Sequence, residues 1–314
     1  MARSVLSEDR FQNEDAAFAH VEACLWPNGP VCHHCGNCDP KRLRKMEGKT
    51  TRRGLYQCNE CRKPFTVRMG TIFEASHLPL HLWLQVIDLM CASKKGISTR
   101  QIQRMLRCSM KTAWHLSHRI RFAMQEHDDL PPMGGEGGIV EIDETFIGRK
   151  EGVERRRGYA HKNVVLTLVH RGAGARSFHV ESTKKEDVLP IVRKHAAKEN
   201  IVMTDEAVQY AELGQEFERH EAVDHSREEY SYYDMRTDTV VGTNTVEGYF
   251  SVFKRGMFGV YQHCSEEHLH RYLAEFDFRY NKREKLGFND VARADAALRG
   301  VKGKRLTYET TPQN

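Results

Sequence analysis

Two Cys-x-x-Cys pairs near the start of the chain constrain its fold more than any other feature. Cys32 and Cys35 form the first pair, Cys58 and Cys61 form the second, and 22 residues separate the pairs. Two such pairs suit four thiolates arranged tetrahedrally around one structural Zn²⁺ ion on a ribbon of short strands. A thiol redox motif needs one pair and does not explain the second. Because a ribbon of this size cannot bury a core, zinc is expected to supply its folding energy.

The charged residues are distributed unevenly along the chain. Between Lys41 and Arg121 there are 18 Lys and Arg side chains and four Asp and Glu side chains, a net charge of +14. Residues 131–314 contain 28 Lys and Arg and 30 Asp and Glu, a net charge of −2. A basic front part before a nearly neutral one indicates that the front part binds a polyanion, most simply double-stranded DNA.

Three helical segments follow the ribbon, and they begin near Leu80, Ser98 and Ser109. The two serines can cap the second and third helices. With a short turn between these two helices, the pattern predicts a helix-turn-helix whose last helix enters the major groove of DNA. The side chains expected at the bases are Lys111, Thr112 and His115. A generic three-helix bundle is the alternative, because the pattern is short and common.

No run of eighteen apolar residues is present, which predicts that the chain has no membrane span. The first residues lack the apolar stretch of a secretory signal. We therefore expect a cytoplasmic, nucleoid-associated protein without a membrane partner. A Pro- and Gly-rich stretch, HDDLPPMGGEGG, predicts a linker before a second domain.

The second half of the chain has the pattern of a mixed α/β domain. The apolar runs GIVEIDETFIG, NVVLTLVH and ARSFHVES predict three strands, and a helical segment follows them. IVMTD predicts a fourth strand, and we expect another helix after it. Asp143 lies in the first strand and Asp205 ends the fourth. This order differs from a plain βαβ repeat and predicts a mixed sheet.

The segment TNTVEGYFSVFKRG, Thr243–Gly256, predicts a helix with two different faces. Glu247 and Lys254 share one face, and the aromatic and apolar side chains of the other face suit burial against a sheet. Together with Asp143 and Asp205, Glu247 suits a pocket that binds two divalent ions about 4 Å apart. Each carboxylate also has a structural alternative: the end of a strand, the cap of the next helix, or part of a capping box.

Several segments together resemble the bacterial insertion-sequence transposases that have an N-terminal zinc ribbon and an RNase H-like DDE domain, the ISXO2-like group. The resemblance keeps the same order from about Phe11 to Tyr308. It rests on CHHC…CNEC, MGTIFEASHLPLHLW, KKGISTRQIQRML…KTAWHLSHRIR, VEIDETFIG, TDEA, TNTVEGYFSVFKRG and HLHRYLAEFDFRYNKR. Gly242 stands where the family is expected to have a His, which affects a secondary phosphate contact and not the metal site.

The resemblance implies the catalytic residues and the chemistry. Asp143 would bridge two Mg²⁺ (or Mn²⁺) ions, and Asp205 and Glu247 would each hold one of them. Water would cut at a transposon end, and the 3′-hydroxyl left there would attack target DNA without a covalent protein intermediate. Lys254, seven residues after Glu247, matches a basic residue of the family and would contact a phosphate of the end sequence. Two ends must be brought together, so at least a homodimer on DNA is expected.

We therefore predict an α/β RNase H-like catalytic domain preceded by a zinc ribbon and a helix-turn-helix. The predicted segments are an N-terminal helix (1–30), the zinc ribbon (31–70), the helix-turn-helix (71–128), a linker (129–138), the catalytic domain (139–298) and a C-terminal tail (299–314). The predicted function is DNA transposition. One alternative is a non-catalytic DNA-binding regulator derived from a transposase, which has no need to keep the acidic triad and Lys254. The other is a nuclease that only hydrolyses DNA.

Overall fold

The computed structural model describes residues 4–126, 130–205, 208–223, 231–235 and 238–306. The chain forms two compact units. Unit 1 runs to Gln125 and is completed by the segment that begins at Phe288, and unit 2 runs from Glu126 to Gly287. The polypeptide therefore leaves unit 1, builds unit 2, and returns.

Unit 1 combines a small sheet with short helices. Its helices are α1 (Asp9–Gln12), α2 (Glu14–Leu25), α3 (Leu80–Ala92), α4 (Thr99–Leu106), α5 (Met110–Met124) and, after unit 2, α9 (Asp290–Arg299). Its strands are β1 (Leu43–Lys45), β2 (Tyr56–Cys58) and β3 (Pro64–Phe65). The predicted N-terminal helix (1–30) is divided at Asn13 into α1 and α2, because the Asn13 side chain accepts hydrogen bonds from the backbone N–H groups of Asp15 and Ala16 and so caps α2.

The three strands form an antiparallel ribbon in the order β1-β2-β3. A cluster of aromatic rings fills what core the ribbon has: Tyr56 lies 5.5 Å from Trp26 and 5.5 Å from Phe65, measured between ring centroids. Apart from this cluster, the ribbon's buried side chains are two cysteines and Leu43. The core is too small to hold the ribbon together, which agrees with the need for a metal.

Helices α4 and α5 are separated by a turn of three residues. Ser98 caps α4 by accepting the N–H of Gln101 at 3.2 Å, and Ser109 caps α5 by accepting the N–H of Thr112 at 3.0 Å. Arg107 ends α4 in the left-handed conformation, which lets the chain reverse sharply. Both caps lie where the sequence predicts them.

The segment after unit 2 joins unit 1 through two buried cations. Arg293 of α9 donates to the carbonyl of Cys91 at 2.8 Å, near the C-terminal end of α3. Lys304 donates to the carbonyls of Ala123 and Gln125, at the C-terminal end of α5. Cations are favourable at helix C-termini, where carbonyls lack intrahelical partners. The predicted boundaries placed residues 290–298 in the catalytic domain and 299–314 in a tail. The division into two units differs from them because these contacts attach the segment after unit 2 to unit 1.

Unit 2 is built around a five-stranded sheet. Its strands are β4 (Ile139–Ile147), β5 (Asn163–His170), β6 (Ala175–Val180), β7 (Ile201–Asp205) and β8 (Arg219–Val223), with a separate hairpin of β9 (Ser231–Asp234) and β10 (Thr239–Gly242). Its helices are α6 (Lys185–His195), α7 (Asn244–Gly256) and α8 (Leu269–Asn281). The sheet order is β6-β5-β4-β7-β8. Strand β5 pairs antiparallel with both β6 and β4, and β7 pairs parallel with both β4 and β8. This arrangement confirms the predicted RNase H-like mixed sheet.

Alternating side chains of the sheet contribute to two cores. Val140, Ile142 and Leu166 lie in one core with apolar residues of α6. Ile147 and Val165 lie in the other core with residues of α7 and α8. The helix predicted after Asp205 is instead a 3-10 helix, Val208–Gln215, and it is followed by strand β8.

The predicted linker is partly packed into unit 2. Met133 is buried, and its backbone N–H donates to the carbonyl of His195 at 2.7 Å. Asn200 donates to the Met133 carbonyl and accepts the N–H of Gly135. The stretch from Met133 therefore forms an edge of the domain, because Asn200 satisfies backbone groups that turn residues leave unpaired.

Candidate active site and zinc centre

The two predicted aspartates lie on neighbouring parallel strands. Ile139 pairs with Ile201 and Glu141 with Met203 in the register between β4 and β7. The same register, continued by two residues, places Asp143 beside Asp205. Since residues two apart in a strand share a face, both carboxylates lie on one side of the sheet near the end of β7.

Glu247 lies in the first turn of α7. The helix buries one face, as predicted: Val246, Tyr249, Phe250 and Phe253 all lie in the core shared with β5. Glu247 is on the exposed face, and its carboxylate accepts a hydrogen bond from the Thr243 hydroxyl at 3.0 Å. The buried face therefore fixes the direction in which the helix can present Glu247.

The three carboxylates lie close enough together for the charges of Asp205 and Glu247 to act on Asp143. Burial, and after it the charges of Glu144, Asp205 and Glu247, together raise the pKa of Asp143 to about 7. The hydrogen bond from the backbone N–H of Glu144 only partly opposes this rise. A cluster of carboxylates at the end of a strand, with one of them held close to neutral, is the donor set that a divalent cation would stabilise.

The spacing of these carboxylates is wider than that of a compact mononuclear site. Within the described residues, the four cysteines are the one group of three or more possible ligands whose donor atoms all lie within 4.8 Å of one another. In a two-metal site the ions are about 4 Å apart, and each ligand atom lies about 2.1 Å from its ion. Two ligand atoms on opposite sides of the ion pair can therefore be separated by up to about 8 Å. A two-metal site therefore does not require donor atoms as close together as those of the four cysteines.

Glu144 is a further carboxylate at this site to which the sequence analysis assigned no role. Burial and then the Asp205 charge raise the pKa of Glu144 to about 7, and Gln209 donates to its carboxylate at 3.4 Å. Its neighbour Asp143 faces the other side of the strand. The Glu144 charge nevertheless contributes to the raised pKa of Asp143, so Glu144 lies close enough to belong to the acidic cluster.

Glu141 is a second carboxylate of β4 without an assigned role, and it is fully buried. Its oxygens accept hydrogen bonds from Arg171, Thr245 and the backbone N–H of Val246. A capping box within α7 was the structural alternative for Glu247. The structure instead shows that Thr243, the residue at the cap position, does not cap the helix with its side chain, so Glu141 takes over this task from another element.

Lys254 lies in the last turn of α7, seven residues after Glu247. Seven residues span about 10.5 Å along a helix and almost two full turns, so both side chains lie on nearly the same side. The Lys254 side chain is half-buried.

The four cysteines have the geometry of a zinc centre. The sulfur atoms of Cys32 and Cys61 are 3.7 Å apart, and those of Cys35 and Cys58 are also 3.7 Å apart. A tetrahedron with Zn–S bonds of about 2.3 Å has edges of about 3.8 Å. Backbone N–H donation, chiefly from Cys61, lowers the pKa of the Cys58 thiol to about 6 and favours its thiolate, whereas burial raises the pKa of the Cys32 thiol. Asn37 donates to the Cys58 sulfur at 3.8 Å, a supporting contact that the sequence did not predict.

The predicted DNA-reading residues lie at the N-terminal end of α5. Lys111 and Thr112 are exposed, and His115 is half-buried one turn later. The Thr112 hydroxyl lies 2.8 Å from that of Ser109. All three predicted residues line an open cleft of about 560 Å³, which also includes His77.

Comparison with known proteins identifies the class to which the chain belongs. Residues 12–64 match the transposase zinc-ribbon domain, and residues 136–281 match the ISXO2-like transposase domain. The two matches together cover more than half of the chain, and the chain belongs to the insertion-sequence transposases that combine these domains.

The chain also resembles one protein over most of its length. This relative, from Halobacterium salinarum, is described as an uncharacterized protein in the transposable element ISH50. The two are 28% identical over 287 residues, which cover 86% of this chain and 91% of the relative. In the part of the chain that the structure describes, no helix is both long enough and apolar enough to cross a membrane.

Proposed function

We propose that this transposase cleaves DNA at the ends of its element and joins the resulting 3′-hydroxyl to target DNA, using divalent metal ions. The observation that carries the proposal is the placement of Asp143 and Asp205 on adjacent parallel strands, with the charge of Glu247 acting on Asp143. Phosphoryl transfer needs cations that offset the negative charge of the reacting phosphate and its attacking oxygen, and carboxylates in this arrangement can hold such cations.

The three carboxylates have different tasks in this proposal. Asp143 would hold both ions, and Asp205 and Glu247 would each hold one. Two Mg²⁺ or Mn²⁺ ions, when bound, supply Lewis-acid activation of the attacking oxygen and stabilise charge on the leaving oxygen. Lys254 binds a phosphate of the end sequence and so orients the strand.

The reaction has two steps at one site. In the first step, water attacks the phosphorus at the transposon end, the bond from phosphorus to the 3′-oxygen of the end breaks, and a proton passes to solvent. In the second step, the same 3′-oxygen attacks a phosphorus of target DNA, and the target strand leaves with a free 3′-hydroxyl. No covalent bond to the protein forms in either step.

The basic unit 1 supplies end recognition. Lys111, Thr112 and His115 at the start of α5 contact bases and phosphates in the major groove, which is the docking mode of a helix-turn-helix. The zinc ribbon binds neighbouring DNA with its exposed cations. The protein acts as at least a homodimer on DNA, since two ends must be joined together, and it acts in the cytoplasm at the nucleoid.

The test uses DNA fragments from either side of the gene, purified protein, Mg²⁺ or Mn²⁺, and a supercoiled target plasmid. We expect nicks at the 3′ ends of the element and joined products. Glu247→Ala should abolish both. Glu199→Ala is a matched control, because Glu199 is an exposed carboxylate that precedes the opposite end of β7.

The outcomes separate the possible functions. Joined products that disappear in Glu247→Ala and persist in Glu199→Ala support the proposal. Cleavage without joining would indicate a nuclease. Specific binding without cleavage, in wild type and variant alike, would indicate a DNA-binding regulator and overturn the proposal.

A further inference from the structure

A buried carboxylate of β4 connects the strand that carries Asp143 to the helix that carries Glu247. Glu141 precedes Asp143 by two residues, so the two side chains share one face of the sheet. Its side chain is completely buried. Burying a carboxylate is costly unless hydrogen bonds and an opposite charge compensate for lost hydration, so the role of Glu141 depends on its partners.

The partners of Glu141 are the first backbone groups of α7. One carboxylate oxygen accepts the N–H of Thr245 at 2.7 Å and the N–H of Val246 at 2.9 Å. The other accepts the Thr245 hydroxyl at 2.7 Å. The N–H groups in the first turn of a helix have no intrahelical acceptor, and an anion is favourable there. Glu141 therefore acts as the N-terminal cap of α7 from outside the helix.

Arg171 completes this connection. Its Nε donates to Glu141 at 2.5 Å, and its two terminal nitrogens donate to the carbonyls of Val240 at 2.6 Å and Gly242 at 2.9 Å. Val240 and Gly242 belong to β10, the strand that leads into α7. One guanidinium thus binds the Glu141 carboxylate and the backbone on the approach to the helix, a fork geometry that Lys cannot reproduce.

We infer that Glu141 is a positioning residue for the third catalytic carboxylate, a role that rests on the proposed function. The Glu141 carboxylate is held by amides one and two residues before Glu247, and its own backbone is two residues from Asp143. It fixes the start of α7 relative to β4 and thereby sets the separation between Asp143 and Glu247. Metal ligands need to be held to within about 0.5 Å, so this short connection determines whether both can serve one two-metal site.

The test measures Mn²⁺ binding to the full-length, zinc-loaded protein by the electron paramagnetic resonance of free Mn²⁺. We expect wild type to bind two ions and Glu247→Ala to bind one. Glu141→Gln should weaken the second ion by about tenfold or more, the range seen when residues that support metal ligands are changed. Hydrogen exchange at Thr245 and Val246 should accelerate in this variant, because their acceptor loses its charge.

Glu275→Gln is the matched control. Glu275 is also fully buried and is paired with an arginine, Arg279, and a hydroxyl, that of Tyr261, but it lies on α8. A loss of packing or stability in general would weaken Mn²⁺ binding in both variants, whereas a positioning role predicts an effect in Glu141→Gln alone.

Three outcomes decide the inference. Weaker binding of the second ion in Glu141→Gln, with Glu275→Gln like wild type, supports it. Wild-type binding in Glu141→Gln, or equal weakening in both variants, overturns it while leaving the metal site in place. If wild type itself binds no more Mn²⁺ than Glu247→Ala, the proposed metal site is wrong, and the inference falls with it.

Discussion

Replacing Asp143 by asparagine is expected to stabilise the protein when no divalent ion is added, and to do so more strongly as the pH rises. Burial and the neighbouring charges raise the pKa of Asp143 from 3.8 to about 7. In the unfolded chain the pKa of Asp143 keeps its ordinary value. Between the two pKa values, the folded state therefore binds a proton that the unfolded state has released. The substitution removes this charge and keeps the oxygen that accepts the N–H of Glu144 at 2.7 Å.

The sign and size of the effect follow from linkage. A carboxyl with a raised pKa in the folded state contributes its full stability below its unfolded pKa, and this stability is lost as the pH rises through the folded pKa. With the two pKa values above, wild type should lose about 2 kcal/mol of unfolding free energy through Asp143 between pH 5.5 and pH 8. The asparagine variant escapes this loss. Any constant cost of placing an amide in the pocket cancels in the comparison of the two pH values.

The assay is urea unfolding of the zinc-loaded protein at both pH values, with hydrogen exchange of β4 and β5 to follow unit 2. Chelators are omitted because they would remove zinc from the ribbon. Glu199→Gln controls for the loss of an exposed carboxylate. Adding Mn²⁺ at 100 times its Kd should stabilise wild type by about 2.7 kcal/mol and the Asp143→Asn variant much less. An advantage of Asp143→Asn that fails to grow between pH 5.5 and pH 8 would refute the idea that these carboxylates share one pocket.

Four further changes test other parts of the molecule. Cys58→Ser should reduce bound zinc from one equivalent to almost none and abolish end binding, while hydrogen exchange in β4 to β8 stays unchanged; retained zinc would contradict the four-thiolate centre. Lys254→Ala should slow end cleavage about tenfold or more without changing Mn²⁺ affinity, and a loss of Mn²⁺ would assign it a different role. Lys111→Ala should lower the slope of log K against log salt for DNA binding by about 1, measured by fluorescence anisotropy. Lys304→Met leaves carbonyls at the end of α5 without their donor. The unfolding free energy of unit 1, measured in urea, should therefore fall by about 2–3 kcal/mol. No change would mean that the C-terminal segment does not stabilise unit 1.

Local patterns predicted the elements that carry the site. The spacing of the four cysteines is enough to predict a tetrahedral centre, since a metal imposes its own geometry on the chain. Helix α7 was predicted nearly to the residue, because apolar side chains at helical spacing can be buried on one side only. The strands around Asp143 and Asp205 followed from short apolar runs for the same reason.

Other elements escaped prediction because their stability comes from distant contacts. Helix α9 has only a weak apolar face, and it packs against the distant helices α3 and α5; Arg293, for example, bonds to Cys91, 202 positions earlier. Strand β8 reads as a polar segment, RHEAV, and it becomes a strand because β7 provides an edge with unpaired backbone groups.

The sequence by itself determined which residues could bind metal and which face of each element they occupy. Tertiary structure decided the register that sets Asp143 beside Asp205, and it decided that the cap of α7 comes from Glu141 and not from within the helix. Periodicity along a chain records only whether a side chain faces a core or solvent. Which strand lies beside which, and which carboxylate meets which amide, depends on contacts between residues as much as 105 positions apart, and these form only when the sheet has been assembled.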